Sequence, residues 1–260
     1  MTEQKPLAGI GVLVTRPASQ TSGFCERIER SGGSVISFPT IEIQPCEAPT
    51  DDLPSVDALI VTSSNAVKYG AQVFDRLAGS NPHSPMIAVG KATAAALRKA
   101  GFTVDYVPEI AGSEGILALA MLHDPAIRST VILRGQESRN LLQEALEKRG
   151  IRVTALEVYK RALPTVNTAP LLAAWQNGNI QLVTTHSRAA LENLNKLLKT
   201  GEKELLHGSQ LVVPTTRMIK LCNELKITLS PVVADSAEDD DMFAAVLVAA
   251  GRKSGKQEQS

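Results

Sequence analysis

The sequence predicts an α/β fold built around parallel sheets. Short β-branched runs alternate along the chain with segments whose apolar residues recur at helical spacing, which indicates βαβ units. Hydrophobic residues make up 43% of the 260 residues and aromatic residues only 3%, as is typical of sheets whose central strands are covered on both faces. Some of the runs also resemble one another at near-constant offsets, so we expect two similar α/β units.

The elements follow one another in a regular order. The predicted strands lie in "GVLVTRP", "SVISFP", "DALIVTSS", "MIAVGKAT", "FTVDYVP", "TVILRGQ", "IRVTALEVY", "IQLVTTHS", "QLVVPTT" and "ITLSPVVAD". The predicted helices lie in intervening segments such as "SQTSGFCERIERSGG", "KATAAALRKAG", "SRNLLQEALEKRG" and "TRMIKLCNELK". Three of these helical segments end in glycine, a common helix stop.

Two near-constant offsets relate the two halves of the chain. Arg16 in "VLVTRP" aligns with Arg134 in "VILRGQ", an offset of 134 − 16 = 118. Thr62 in "IVTSSNAV" aligns with Thr185 in "VTTHSRAA", an offset of 185 − 62 = 123. The offsets favour an internal duplication, although generic βα units also resemble one another by chance.

Two extended, proline-flanked segments interrupt the alternation: "FPTIEIQP" at 38–45 and "LEVYKRALP" at 156–164. Proline disfavours helix at the residue before it, so both segments are predicted to be extended. If they pair as a two-stranded linker, the first domain is discontinuous and comprises 1–37 and 165–260. The second domain then comprises 46–155, and we expect a ligand-binding cleft between the two domains.

Charge and cysteine usage exclude several classes of function. The 27 basic and 27 acidic residues balance, which argues against a nucleic-acid partner. The three cysteines are far apart and the four histidines form no ligand pair, so we expect no disulfide framework and no metal site. No apolar run is long enough to span a membrane, and a reducing cytoplasm is the expected location.

Hydroxyl-bearing residues follow the predicted strands where helices begin. In a parallel sheet, ligands bind beyond the C-terminal ends of the strands, and the free N–H groups of a helix start favour anions. Serine and threonine are also preferred helix N-caps, and the two interpretations are compatible. The candidate anion-binding residues are Thr62, Ser63, Ser64, Thr93, Ser113, Ser187, Thr215 and Thr216.

Four larger side chains are further candidates. Arg16 and its counterpart Arg134 follow strands, and a guanidinium there either binds a carboxylate or forms a structural salt bridge. Tyr159 lies in the second linker segment, where a phenol could donate a proton to a leaving group or only pack. His186 has the chemistry of a general acid, but a lone loop histidine is more often a bystander.

The ordered set of these motifs resembles the uroporphyrinogen-III synthase family. The resemblance rests on "VLVTRP", the "FPTIEIQP" segment, "VTSSNAV", "VGKATAAALRKAGF", "LRGQESRNLLQEALEKRG", "VYKR", "TTHSRAALENL" and "PTTRMIKL", and it covers about residues 8 to 250. It implies two similar parallel-sheet, flavodoxin-like domains joined by a two-stranded linker, the first domain being discontinuous. The chain departs from the family pattern at Val213, where glycine is common, and at His186, where a smaller or aromatic residue is frequent.

The resemblance also implies an activity. Members of the family convert the linear tetrapyrrole hydroxymethylbilane into uroporphyrinogen III, inverting ring D and losing water, without a metal or organic cofactor. It places the acid at Tyr159, and the matching substrate-binding positions are Thr93, Thr216, Ser187 and either Ser63 or Ser64. We expect a cytoplasmic monomer whose partner is this small molecule. The alternative is a non-catalytic two-domain binding protein or regulator for a small polyanion.

Overall fold

The computed structural model describes residues 5–17, 21–47, 53–138 and 140–257. The chain divides into two compact units. Unit 1 comprises Met1–Glu42 and Leu163–Ser260, and unit 2 comprises Ile43–Ala162.

The strands of the described residues, in chain order, are β1 (Gly11–Val14), β2 (Ser34–Ser37), β3 (Glu42–Pro45), β4 (Ala58–Val61), β5 (Met86–Ala88), β6 (Ser129–Gly135), β7 (Arg152–Ala162), β8 (Leu182–Thr184), β9 (Gln210–Val213) and β10 (Val232–Val233). The α-helices are α1 (Ser22–Arg30), α2 (Ser64–Tyr69), α3 (Ala71–Ser80), α4 (Lys91–Lys99), α5 (Ser113–Leu117), α6 (Leu141–Lys148), α7 (Ala169–Gln176), α8 (Arg188–Leu197), α9 (Lys203–His207), α10 (Met218–Glu224) and α11 (Asp239–Gln257). Short 3-10 helices lie at Ala120–His123 and Thr200–Glu202.

Unit 1 is a three-layer structure around a sheet of order β10-β9-β8-β1-β2, in which every pair of neighbours is parallel. All four residues of β1 are buried, and they alternate between two cores. Val12 and Val14 pack with Phe24 of α1 and residues of α11, whereas Leu13 packs with residues of α7, α8 and α10 such as Trp175. A strand covered on both faces is continuously apolar, which explains the "GVLV" run.

Unit 2 repeats this design around a sheet of order β3-β7-β6-β4-β5. The β4–β5, β4–β6 and β6–β7 pairs are parallel. Leu59 and Val61 face the core formed with α2, α3 and α4, and Ala58 and Ile60 face the core formed with α5 and α6. The predicted α/β class with parallel sheets is therefore confirmed.

Both segments that interrupt the helix–strand alternation contribute to the sheet of unit 2. Residues 42–45 form β3, and β7 runs without a break from Arg152 to Ala162. Val158 and Tyr159 in this strand are buried in the core of unit 2. Their burial favours one long strand over a strand that ends before residue 156.

Equivalent strands occupy the same positions in the two sheets. The order in which the chain visits these positions differs between the sheets. The run β2-β1-β8-β9 of unit 1 corresponds to β7-β6-β4-β5 of unit 2. The residue pairs Gly11–Ser34 and Ser129–Arg152 are in register, and both members differ by the predicted offset, since 129 − 11 = 118 and 152 − 34 = 118. The duplicated segments are thus consecutive in the chain, and each five-stranded sheet takes three strands from one copy and two from the other.

Candidate active site

Three hydroxyl residues follow β4 in unit 2, as the sequence predicts. The Oγ1 and backbone N–H of Thr62 both donate to the Leu133 carbonyl, at 3.0 and 3.1 Å. Ser63 caps α2, because its Oγ accepts from the Ala66 N–H at 3.0 Å. Ser64 is the first residue of the helix and is exposed. The capping interpretation is therefore confirmed for Ser63, and Ser64 remains accessible to a ligand.

The phenol of Tyr159 lies at the same end of the sheet. Its side chain is almost completely buried, with 6% exposed, and its oxygen accepts a hydrogen bond from Ser63 Oγ at 3.1 Å. The pairing of β6 with β7 shifts register between Arg134 and Gly135, which brings Gly135 opposite Tyr159. A Cβ on Gly135 would lie 2.6 Å from Tyr159 Cζ, so only glycine leaves room for the ring.

Tyr159 also borders a small pocket of about 70 Å³. The pocket is formed by the turn Gly135–Ser138 together with Tyr159 and Arg161, two residues apart on β7. The turn is held against the strand because the Gln136 N–H donates to the Tyr159 carbonyl at 2.8 Å. The pocket thus combines a phenol and a guanidinium, and its volume suits a small polar group.

A second pocket of unit 2, of about 200 Å³, brings together three of the predicted binding residues: Thr62, Ser113 and Arg134. Thr62 directly follows β4, Ser113 is the first residue of α5, and Arg134 lies near the end of β6. Arg134 is held by Glu157 at 3.2 Å and by Asn140 at 2.8 Å. Thr93 is buried in the first turn of α4 and does not line this pocket.

In unit 1, the predicted residues lie in the equivalent connections. Arg16 follows β1 and forms an ion pair with Asp239 in the first turn of α11, as its salt-bridge interpretation predicted. Ser187 caps α8 by accepting from the Ala190 N–H at 3.2 Å. The pair Thr215 and Thr216 lies in the exposed turn between β9 and α10.

His186, which follows β8, is largely buried, and the neighbouring sequence gave no indication of this burial. Its ring contacts the edge of Phe24, with the centroids 5.1 Å apart. Burial is the main reason that its pKa is lowered from 6.5 to about 4, and the positive charge of Arg16 lowers the pKa further, while Asp239 partly offsets both effects. His186 is therefore neutral at physiological pH.

Buried side-chain polar atoms without a hydrogen-bond partner in the described part of the protein are concentrated at the strand ends. Across the described ranges, four buried side-chain polar atoms make no hydrogen bond: Arg134 Nε, Thr185 Oγ1 and both ring nitrogens of His186. Arg134 is the penultimate residue of β6, and Thr185 and His186 directly follow β8. Such atoms are rare in folded proteins because each is costly, and they are tolerated where function requires them.

The residues that sequence reasoning missed come from the segment after β6. Gly135, Gln136 and Ser138 line the pocket beside Tyr159, and Gln143 lines the larger pocket. The polar stretch "GQES" directly after the apolar strand was the available signal. In the described part of the chain, no helix is long and apolar enough to cross a membrane, and no three potential metal ligands cluster.

Polar donors and a phenol at the C-terminal ends of parallel strands define an α/β protein of the class that binds anionic small molecules at this edge. Residues 22–244 match the family model described as "Uroporphyrinogen-III synthase HemD". The chain therefore belongs to the uroporphyrinogen-III synthase family, as the sequence resemblance predicted.

Individual relatives agree with this family. The chain is 30% identical over 247 residues to the uroporphyrinogen-III synthase of Escherichia coli (strain K12), a match that covers 91% of this chain and 100% of the relative. It is 32% identical over 253 residues to a putative uroporphyrinogen-III synthase of Methanothermobacter thermautotrophicus, covering 92% and 98%. These relatives confirm the enzymatic function in tetrapyrrole biosynthesis, and the alternative of a non-catalytic binding protein is not favoured.

Solved structures with similar folds belong to enzymes of the same name. The uroporphyrinogen-III synthetase of Helicobacter pylori 26695 matches with a TM-score of 0.58 and 15% identity, covering 92% of this chain and 99% of that one. A mutant uroporphyrinogen III synthase of Thermus thermophilus matches with a TM-score of 0.53 and 18% identity, covering 94% and 99%. At these identities the likeness concerns the fold.

Proposed function

We propose that this enzyme closes hydroxymethylbilane to uroporphyrinogen III with Tyr159 as the proton donor. The phenol gives its proton to the hydroxyl of the substrate's hydroxymethyl group as the C–O bond breaks, so that water leaves and an azafulvene cation forms. Ring D then attacks through its substituted carbon, and rearrangement of the spiro intermediate inverts this ring. The proton lost when the last pyrrole regains aromaticity returns to the phenolate.

The placement of Tyr159 is the observation that carries this assignment. The phenol is fixed by Ser63, lies directly over Gly135 and borders a pocket of about 70 Å³. In the described ranges of unit 2, the other tyrosines are Tyr69, whose ring is 6.3 Å from that of Tyr159, and Tyr106, which is 39% exposed. A buried, oriented phenol at a pocket mouth fits general acid catalysis, which requires the donor within hydrogen-bond reach of the leaving group.

The substrate's carboxylates require several donors, and each unit carries candidate donors at its own strand ends. In unit 2, we assign Arg134, Thr62 and Ser113 to one carboxylate site, because they line the same pocket of about 200 Å³. A guanidinium can bind a carboxylate through two hydrogen bonds, and the buried Nε without a protein partner supports an acceptor at this place. Further donors assigned to carboxylates are Arg16, Ser64, Thr93, Ser187, Thr215 and Thr216.

The proposal extends to the domain organisation. The order β2-β1-β8-β9-β10 in unit 1 supports a flavodoxin-like assignment, and in unit 2 the run β5-β4-β6-β7 has the same chain-order pattern, with β3 added beside β7. We assign domain 1 to 1–37 and 165–260 and domain 2 to 46–155, with 38–45 and 156–164 as a two-stranded linker. A cytoplasmic monomer is part of the proposal, and the three free cysteines suit a reducing compartment.

The test is the turnover of Tyr159→Phe in an assay that supplies hydroxymethylbilane and separates the two uroporphyrinogen isomers. Loss of a general acid lowers kcat by about 10²–10⁴-fold. KM should change little, because the ring and its packing remain. Tyr106→Phe is the matched control, since Tyr106 is exposed in the same unit. Unchanged formation of the inverted isomer by Tyr159→Phe would refute the acid role.

A further inference from the structure

The proton and one lone pair of the Ser63 hydroxyl are engaged inside the protein. Its oxygen accepts from the Ala66 N–H at 3.0 Å, and its proton is donated to the Tyr159 oxygen at 3.1 Å. A serine hydroxyl has one proton, so while this bond exists Ser63 cannot also donate to a substrate carboxylate. The binding role that the sequence suggested for Ser63 therefore conflicts with its geometry.

The same bond determines what the phenol of Tyr159 can do. Because its oxygen receives a proton from Ser63, the phenol's own proton is left for another acceptor. The ring of Tyr159 cannot tilt toward Gly135, because it already occupies the space that a Cβ there would take. The ring is also packed in the core of unit 2, with the ring of Tyr69 6.3 Å away. The polar opening that Tyr159 borders is the pocket formed with the turn Gly135–Ser138 and Arg161.

We propose that Ser63 is a positioning residue: by donating to the Tyr159 oxygen, it directs the phenol proton into the pocket formed by Gly135–Ser138 and Arg161, where the substrate's hydroxyl group is protonated. This inference rests on the acid role proposed for Tyr159. It links the start of α2 to the chemistry on β7, although the two residues are 96 positions apart in the chain. Gly135 provides the space in which this arrangement is possible.

Ser63 also has a structural role, which the test must separate from positioning. As the N-cap of α2, it satisfies a backbone donor, so Ser63→Ala lowers stability whether or not the tyrosine is catalytic. Ser63→Asp keeps a good cap acceptor but removes the hydroxyl donor. Ser63→Thr keeps both the cap and the donor, and therefore serves as the conservative rescue.

The experiment measures kcat, KM and Tm for these three variants in the wild-type and Tyr159→Phe backgrounds. Ser63→Ala and Ser63→Asp should each lower kcat by about tenfold or more, the size expected for loss of one well-placed hydrogen bond. KM should stay within about twofold, because the substrate contacts remain. Compared with Ser63→Ala, Ser63→Asp should have a higher Tm but an equally low kcat, and Ser63→Thr should recover both Tm and kcat.

The Tyr159→Phe background gives the decisive comparison. A residue that acts only through the phenol has no further effect on kcat once the phenol is removed. Adding Ser63→Ala to Tyr159→Phe should therefore cause no further decrease in kcat. A full additional loss in that background, or an unchanged kcat for Ser63→Asp, would overturn the positioning role alone. If Tyr159→Phe itself keeps normal turnover, the acid role fails and the positioning role fails with it.

Discussion

The buried histidine of unit 1 should make this protein sensitive to weak acid. His186 lies between Phe24 and Arg16, its ring nitrogens make no hydrogen bond, and its pKa is lowered to about 4. The charged groups that act on it are Arg16, which opposes protonation, and Asp239, which favours it less strongly. In the unfolded chain the pKa of His186 returns to about 6.5. Between pH 6.5 and pH 4, the histidine is therefore protonated in the unfolded state but not in the folded state.

The sign and size of the effect follow from this difference. Stability is unaffected above pH 6.5 and falls as the pH decreases from 6.5 toward 4, since the unfolded state then holds more protons. At roughly 1.4 kcal/mol per pH unit of difference, lowering the pH from 7.5 to 5 removes about 2 kcal/mol. That is a substantial share of a typical domain stability of about 5–15 kcal/mol.

The assay is urea unfolding of wild type and His186→Phe at pH 5 and pH 7.5, followed by tryptophan fluorescence. The single tryptophan, Trp175, is buried in α7, so the signal reports unit 1. His186→Phe keeps an aromatic contact with Phe24 but cannot be protonated, and the stability difference between the two proteins should therefore shift by about 2 kcal/mol in its favour at pH 5. His83→Gln, an exposed histidine in unit 2, is the control. Equal pH dependence in wild type and His186→Phe would refute the argument.

Three other predictions concern single side chains. Gly135→Ala should displace the Tyr159 ring, since the new Cβ would lie 2.6 Å from Cζ, and we expect kcat to fall more than KM rises in the isomer-resolving assay. Arg134→Gln should weaken binding of the tetracyclic product by about tenfold and reduce its salt dependence, as measured by titration at two ionic strengths. Asp57→Asn should lower stability at pH 7, because the carboxylate accepts hydrogen bonds from Arg128 and Ser129 that hold its pKa below the ordinary value, and solvent screening keeps the loss below about 1 kcal/mol. This last difference should vanish as the pH falls through the lowered pKa, and urea unfolding at pH 3 and pH 7 would test it.

Much of the fold could be predicted because its signals are local. Runs such as "ALIV" and "GVLV" are apolar throughout because both faces of each strand are covered, and serine before a helical segment marked the caps at Ser63 and Ser187. The predicted strand in "FTVDYVP" is reduced to one bridge between Ile87 and Tyr106. There the Asp105 carboxylate accepts from the Met86 N–H at 2.7 Å, so a side chain occupies a donor that a strand neighbour would otherwise bind.

The arrangement of the site could not be predicted in the same way, because it depends on contacts between distant residues. The Ser63–Tyr159 hydrogen bond joins positions that share no local pattern, and the β6–β7 register shift that places Gly135 opposite Tyr159 has no sequence signal of its own. The environment of His186 depends likewise on Phe24, 162 positions earlier, since 186 − 24 = 162. Residue types identified these side chains as candidates, and only tertiary packing determines which of them meet.

The exchanged strand order determines how a shorter molecule, with only one copy of the duplicated segment, would have to complete its sheets. A polypeptide with one copy of the duplicated segment would carry two incomplete sheets, each with an open hydrogen-bonding edge where β1 meets β8 or β4 meets β6. It could close those edges only by trading segments with a second molecule of the same kind. Covalent fusion of the copies places the missing strands at a high effective concentration, so that a single molecule closes both edges by itself.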